Sequence, residues 1–253
     1  MKPYYETELG KLYHGDCLEI MPQLEPVDLV LTDPPYGTTA CKWDLIVPID
    51  LMWAQLKTII KKNGVIAIMA MQPFESVLIS SKIKMFKYCW VWVKTQAVGH
   101  LNAYKMPMKR TEDICIFYNK PPTYNPLIED KPIANIRPPS QSDLTDSYGK
   151  YNQDQSKNRK IPLNKTLPTN ALFFSNAQKT VHPTQKPVAL MEYLIKTYTN
   201  EGETVLDFCI GSGTTSVACE RLKRRWIGIE IEEKYCEIAA KRIEHERKQL
   251  KLF

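Results

Sequence analysis

The sequence predicts an α/β fold with a doubly wound, mostly parallel sheet. Three observations carry this. Short apolar runs alternate with longer amphipathic stretches towards both ends of the 253-residue chain. One apolar run, Val27–Thr32, stops abruptly at Asp33-Pro34-Pro35-Tyr36. Another, Thr204–Leu206, leads through Asp207 into Gly211-Ser212-Gly213 and a helix-like stretch. Strands that alternate with helices need crossover connections, so most of the sheet is parallel and covered on both faces.

The elements follow in order. Val27–Thr32 reads as a buried strand ended by the prolines. Leu51–Ile60 is helix-like, and Lys61-Lys62-Asn63-Gly64 is expected to close it with basic residues and a glycine. Val65–Ala70 is too short for a typical helix and reads as a second buried strand. Trp90–Lys94 and Ile114–Tyr118, rich in β-branched and aromatic residues, read as further strands. The composition then changes. Residues 119–181 hold Pro121-Pro122, Pro138-Pro139 and many Ser, Asn and Gln, with more Lys and Arg than Asp between Arg137 and Lys165. A structureless stretch this long points to function or mobility. From His182 regular patterning returns: an amphipathic helix over Pro187–Tyr198, the strand before Asp207, a helix to about Leu222, a strand over Arg225–Glu230 and a charged helix over Glu232–Lys251. The expected organisation is thus residues 1–118, an inserted polar region 119–181, and residues 182–253.

Bulk properties narrow the class. A formal charge of +6 and 43% hydrophobic residues fit a globular protein whose partner is allowed, not required, to be a polyanion. Seven cysteines, an odd number with no Cys-x-x-Cys pair, argue against a zinc ribbon or disulfide framework and for reduced thiols. Spacing offers no His/Cys/Asp ligand cluster, so no metal site is expected. The longest apolar run, Val65–Met71, falls far short of the ~20 residues that cross a bilayer. The N-terminal residues carry no apolar signal core. The expectation is an intracellular protein, not bound to a membrane.

Two turns carry chemistry. In the first, Gly211 and Gly213 let the backbone turn tightly and let a ligand approach without a Cβ in the way. The following helix N-terminus supplies free N–H groups. Glu230, after the next strand, is placed to accept hydrogen bonds from ribose hydroxyls. A dinucleotide fingerprint needs a third glycine at 216, where this chain has Ser216. That favours an adenosyl ligand over a nicotinamide dinucleotide. In the second turn, Pro34 and Pro35 remove two N–H donors. Asp33 adds a carboxylate at a strand's carboxyl end, and Tyr36 a flat face on which a base can stack. An exocyclic amino group is a poor nucleophile because its lone pair is delocalised into the ring. Acceptors on its hydrogens, here Asp33 and the Pro34 carbonyl, localise that lone pair and stabilise the developing positive charge. Methylation at carbon-5 of cytosine instead needs a thiolate, typically in a Pro-Cys pair. None of the cysteines follows a proline.

These residues resemble those of the amino-group DNA methyltransferases, of adenine-N6 or cytosine-N4 type, in the permuted order that places the catalytic turn before the cofactor loop. The similarity covers about Leu12–Tyr118 and His182–Ala240. It implies a Rossmann-like methyltransferase fold, with catalytic and cofactor-binding halves at residues 1–118 and 182–253 and target recognition in the insertion. It implies S-adenosylmethionine as cofactor and double-stranded DNA as partner, and leaves a homodimer and a cognate restriction endonuclease open. By position, Asp33, Pro34, Pro35 and Tyr36 take the catalytic turn, and Asp33 also borders the cofactor. Asp16, in Leu12-Tyr13-His14-Gly15-Asp16, takes the contact to the cofactor adenine. His182, Thr184 and Lys186, in His182-Pro183-Thr184-Gln185-Lys186-Pro187, take the methionine end. Asp207, Phe208, Cys209, Gly211, Gly213 and Thr214 take the cofactor loop, and Glu230 the ribose. Trp92-Val93-Lys94 and Arg110-Thr111-Glu112 resemble elements that flank the target-base pocket. Where the family loop usually reads Asp-x-Phe, Phe208 follows Asp207 at once and Cys209 holds the Phe position. An Asp at the start of the catalytic turn tilts the resemblance towards adenine. RNA and protein-amide methyltransferases, whose turn usually begins with Asn, are the less favoured alternative.

Overall fold

The computed structural model describes residues 1–37, 45–130, 162, 164–178, 181 and 185–250. They form two compact units, Pro126–Thr169 and the rest of the chain. In the smaller, two short strands, Glu129–Asp130 and Lys165–Thr166, pair antiparallel. The polar residues between Arg137 and Lys160, to which target recognition was assigned, lie outside the described residues.

The larger unit is built on a nine-stranded sheet. In chain order its elements are β1 (Tyr5–Glu6), β2 (Gly10–His14), α1 (Cys17–Ile20), β3 (Val27–Thr32), α2 (Ile49–Ile59), β4 (Ile60–Ala70), α3 (Phe74–Ser81), β5 (Phe86–Val98) and β6 (Lys109–Phe117). The two short strands of the smaller unit are β7 and β8. There follow β9 (Ala171–Phe174), α4 (Val188–Tyr198), β10 (Thr204–Asp207), α5 (Thr214–Leu222), β11 (Arg225–Glu230) and α6 (Glu233–Leu250). The strand order is β1-β2-β11-β10-β3-β4-β6-β5-β9. β2, β11, β10, β3 and β4 run parallel, and β6 is antiparallel to both β4 and β5. This is the doubly wound α/β architecture the alternation predicts.

Two hydrophobic layers, one on each face, explain why the strands read as apolar runs. Leu29 and Leu31 pack with Leu190, Leu194 and Trp226 on one face. Val30 packs with Trp53, Leu56 and Phe117 on the other. Three details depart from expectation. Lys61–Gly64 does not close α2; the chain turns at Ile60 and these residues begin β4. Gly64 is needed in that strand, because a Cβ there would lie 2.6 Å from the Ile60 side chain and 2.9 Å from the Asp28 carbonyl. β5 is longer than the run Trp90–Lys94 within it, because Phe86, Tyr88 and Cys89 before the run and Val98 after it also pair with β6. Finally, residues 119–125 and 170–178, expected in the insertion, belong to the larger unit, where β9 pairs parallel with β5. No helix of the described residues is long and apolar enough to cross a membrane.

Candidate active site

β10 leads by way of α5 to β11 on one side, and β3 by way of α2 to β4 on the other. Between their carboxyl ends lies the switch point where open α/β sheets bind ligands. A cavity of about 790 Å³ opens there. It lies in the upper part of the ~300–1,000 Å³ range of small-molecule sites.

On the β10 side, Asp207 organises the glycine loop. Its carboxylate accepts hydrogen bonds from Thr32 Oγ1 (2.8 Å), Thr215 Oγ1 (2.6 Å) and the Cys209 N–H (3.2 Å). Burial pushes its pKa up to about 7, against the pull of these donors. Gly211 (φ +52°) and Gly213 (φ +81°) adopt the left-handed conformation that favours glycine. Gly213 does not line the cavity; it caps α5, and a Cβ on it would lie 2.9 Å from the Ala239 Cβ. The Glu230 carboxylate accepts from the Gly211 N–H (2.8 Å) and the Glu232 N–H (2.9 Å). Glu230 is buried, which raises its pKa despite these donors. Phe208, Cys209, Thr214 and Asp16 also line the cavity. Asp16 caps α1, accepting from the Leu18 N–H at 2.8 Å. An acid held by loop N–H groups beside a glycine cradle fits the ribose and adenine end of an adenosyl cofactor. Arg242, which spacing did not single out, clamps the loop from α6: its Nη1 donates to the Ser212 carbonyl (2.6 Å) and lies 2.8 Å from Ser212 Oγ.

On the β3 side, Asp33 heads a buried charge network. One oxygen accepts from the Tyr36 hydroxyl and the other from Lys186 Nζ. Lys186 Nζ also pairs with Glu112 Oε1 at 2.9 Å, and Lys94 Nζ with Glu112 Oε2 at 2.7 Å. Two carboxylates thus face two ammonium groups. Burial pushes the Asp33 pKa up against the pull of Lys186. For Glu112 the same burial is outweighed by Lys186 and Lys94, and its pKa falls. Lys186 is raised: burial would lower it, but Asp33 and Glu112 prevail. The Tyr36 ring stacks on Phe74, centroids 5.3 Å apart. Lys186, assigned by resemblance to the cofactor, therefore sits on the Asp33 carboxylate of the Asp-Pro-Pro-Tyr turn. Lys94 and Glu112 come from strands separated from β3 by β4, and Phe74 from a helix with no motif to mark it. His182 and Thr184 lie outside the described residues.

Sequence spacing offered no metal ligands. Among the described residues, folding brings one set within reach, Glu75, Cys89 and Cys115, and none of the three lines the cavity.

A DNA methylase family model matches residues 27–241. Type II methyltransferase M.HpaI of Haemophilus parainfluenzae is 28% identical over 253 residues, covering 93% of this chain and 74% of its own. Type II methyltransferase M2.DpnII of Streptococcus pneumoniae is 29% identical over 278 residues, covering 97% and 93%. Among solved structures, the complex of M1.HpyAVI with S-adenosylmethionine superposes with a TM-score of 0.62 at 28% identity, covering 92% of this chain and 99% of that one. With a family match across most of its length, and with the glycine loop and the Asp-Pro-Pro-Tyr turn meeting at one cavity, the chain belongs to the N6/N4 family of DNA methylases.

Proposed function

We propose that the protein transfers a methyl group from S-adenosylmethionine to the exocyclic amino group of a base flipped out of duplex DNA, and that the base is adenine. The observation that carries this is the placement of the Asp33 carboxylate, paired with the buried Lys186, on the same cavity as Glu230 and the glycine loop. When bound, the cofactor supplies an electrophilic methyl group on a sulfonium. Glu230 and Asp16 hold its adenosine half. Asp33 and the Pro34 carbonyl accept the amino hydrogens of the target base, localise the nitrogen lone pair and face the positive charge that develops as the N–C bond forms and the C–S bond breaks. Asp33 then takes the proton that the amino nitrogen sheds. Tyr36 stacks on the base. The step is a single displacement and calls for no metal ion. A homodimer and a cognate restriction endonuclease are both compatible with this reading; mass in solution and an endonuclease gene nearby decide them.

Tritiated S-adenosylmethionine, mixed-sequence duplex DNA and digestion to nucleosides test the proposal. Label in N6-methyladenine, lost in Asp33→Ala, is the expected result. Label in N4-methylcytosine keeps the mechanism and replaces the base. Absence of label from DNA, with cofactor bound, overturns the proposal.

A further inference from the structure

The β5–β6 hairpin carries an unusual tip. β6 runs antiparallel to β4, with Asp113 opposite Ala70 and Phe117 opposite Ile66. The start of β6 and the end of β5 therefore lie at the carboxyl end of the parallel strands, the end that bears Asp33 and Asp207. Lys94 and Val98 of β5 line the cavity, and the chain then leaves it for a tip spanning Gly99–Met108.

Every residue from Gly99 to Thr111 is exposed. Leu101 is 99% and Tyr104 105% exposed, as much as either would be in an extended peptide. The tip is nevertheless shaped. Gly99 (φ +97°) starts a tight turn over His100–Asn102, and the Lys105 and Met106 N–H groups donate to the Asn102 carbonyl at 2.9 and 3.0 Å. Its stem is pinned by Thr95 Oγ1 donating to Asn176 Oδ1 (3.1 Å) and Arg110 Nε donating to the Lys94 carbonyl (3.1 Å). From Thr95 to Thr111 the chain holds Lys105, Lys109 and Arg110 and no carboxylate. Large apolar side chains in full contact with water, on a cationic support beside the reaction cavity, are costly for a free protein and suited to a polyanion with an apolar interior.

We infer that this hairpin is a DNA wedge: Leu101 and Tyr104 enter the base stack beside the target, while Lys105 and Lys109 meet the flanking phosphates. Apolar side chains that part base steps, and the need to unstack a base before chemistry on it, give the wedge its task. The inference rests on the duplex-DNA reading above.

Its test starts from the methylated site, mapped by sequencing DNA labelled by the wild-type protein. Two duplexes containing that site are compared, one fully paired and one with an abasic position opposite the target base. Leu101→Ala/Tyr104→Ala is expected to lose roughly tenfold or more in kcat/KM on the paired duplex and to recover most of it on the abasic one, where little unstacking remains to be done. Lys105→Ala/Lys109→Ala is expected to flatten the slope of log K against log salt by about 1–2. An apolar variant that matches wild type on the paired duplex, or loses equally on both duplexes, overturns the wedge while leaving the methyltransferase reading intact. A wild-type protein that labels no DNA overturns both. None of the four substitutions touches the core, so thermal unfolding should be unchanged.

Discussion

Lys186→Met is the perturbation that asks most of the active-site network. The lysine is 8% exposed and pairs with Asp33, 17% exposed, and Glu112, 4% exposed. Removing it leaves the Asp33 and Glu112 carboxylates with one cation, Lys94, among the described residues of the network. Breaking a buried pair in this way costs about 3–5 kcal/mol, because the charge left behind is uncompensated. The variant can lessen that cost by taking up a proton. Asp33 is already pushed up by burial, and it rises further once Lys186 no longer opposes burial. The folded variant then holds more protons than its unfolded chain, so its stability falls as pH rises. Urea unfolding should therefore show the full deficit against wild type near pH 8 and a smaller one near pH 5.5. Methyl transfer at neutral pH should fall by about a hundredfold, as when one preorganised electrostatic contact is lost. The acid limb of kcat should move to higher pH, since in the proposed reaction Asp33 accepts the amino hydrogens in its ionised form. A deficit below about 1 kcal/mol at both pH values, or an unshifted acid limb, would refute the claim that Lys186 keeps Asp33 charged.

Other perturbations address the cofactor side. Glu230→Ala removes the acid proposed to hold the ribose and frees the Gly211 N–H; at about 1.5–3 kcal/mol for a charged hydrogen bond, calorimetry should show cofactor binding weakened roughly ten- to a hundredfold. Gly213→Ala combines a positive φ with a 2.9 Å approach to Ala239, so it should lower stability by about 1–3 kcal/mol in denaturant titration. Asp207, with a folded pKa of about 7 against an ordinary carboxylate value, binds a proton in the folded state that the unfolded chain has lost. Its contribution to stability therefore falls as pH rises from about 4 to 7 and levels off above that. Asp207→Asn should flatten the stability profile in that window, and an unchanged slope would show that Asp207 does not titrate there.

Much of the molecule could be read from the chain, for identifiable reasons. Val27–Thr32 and Arg225–Glu230 match their strands because both faces of a parallel sheet are buried, so apolar residues such as Leu29, Val30 and Leu31, or Trp226 and Ile227, stand at consecutive positions instead of alternating with polar ones. The two turns were legible because their backbone demands restrict residue type: Pro-Pro to end one strand, glycine at positive φ after the other. The charge network was less legible. Lys94, Glu112 and Lys186 were marked only by the family resemblance, which did not join them into one network; the antiparallel return of β6 between β4 and β5 sets the first two beside Asp33. Arg242 and Phe74 reach from helices to turns distant in sequence, by a hydrogen bond and a ring contact that leave no local pattern. Lys61–Gly64 misled because a basic, glycine-ended segment suits a helix terminus and a strand entrance equally well.

The hydrogen bond from Thr32 to Asp207 joins residues 175 positions apart, and the strand order gives that distance a temporal meaning. β10 and β11 lie between β2 and β3, so the centre of the sheet is supplied by its most C-terminal strands. A chain emerging from the ribosome can zip β3, β4, β6 and β5 together early, but β3 then has a bare edge, and β1–β2 has nothing to join. That edge is the apolar segment Val27–Thr32, which on an unfinished chain is a template for another chain to add to. The fold should accordingly tolerate changes at its outer strands better than the loss of β10 and β11. Its synthesis should be most prone to aggregation in the interval before β10 slides into the gap.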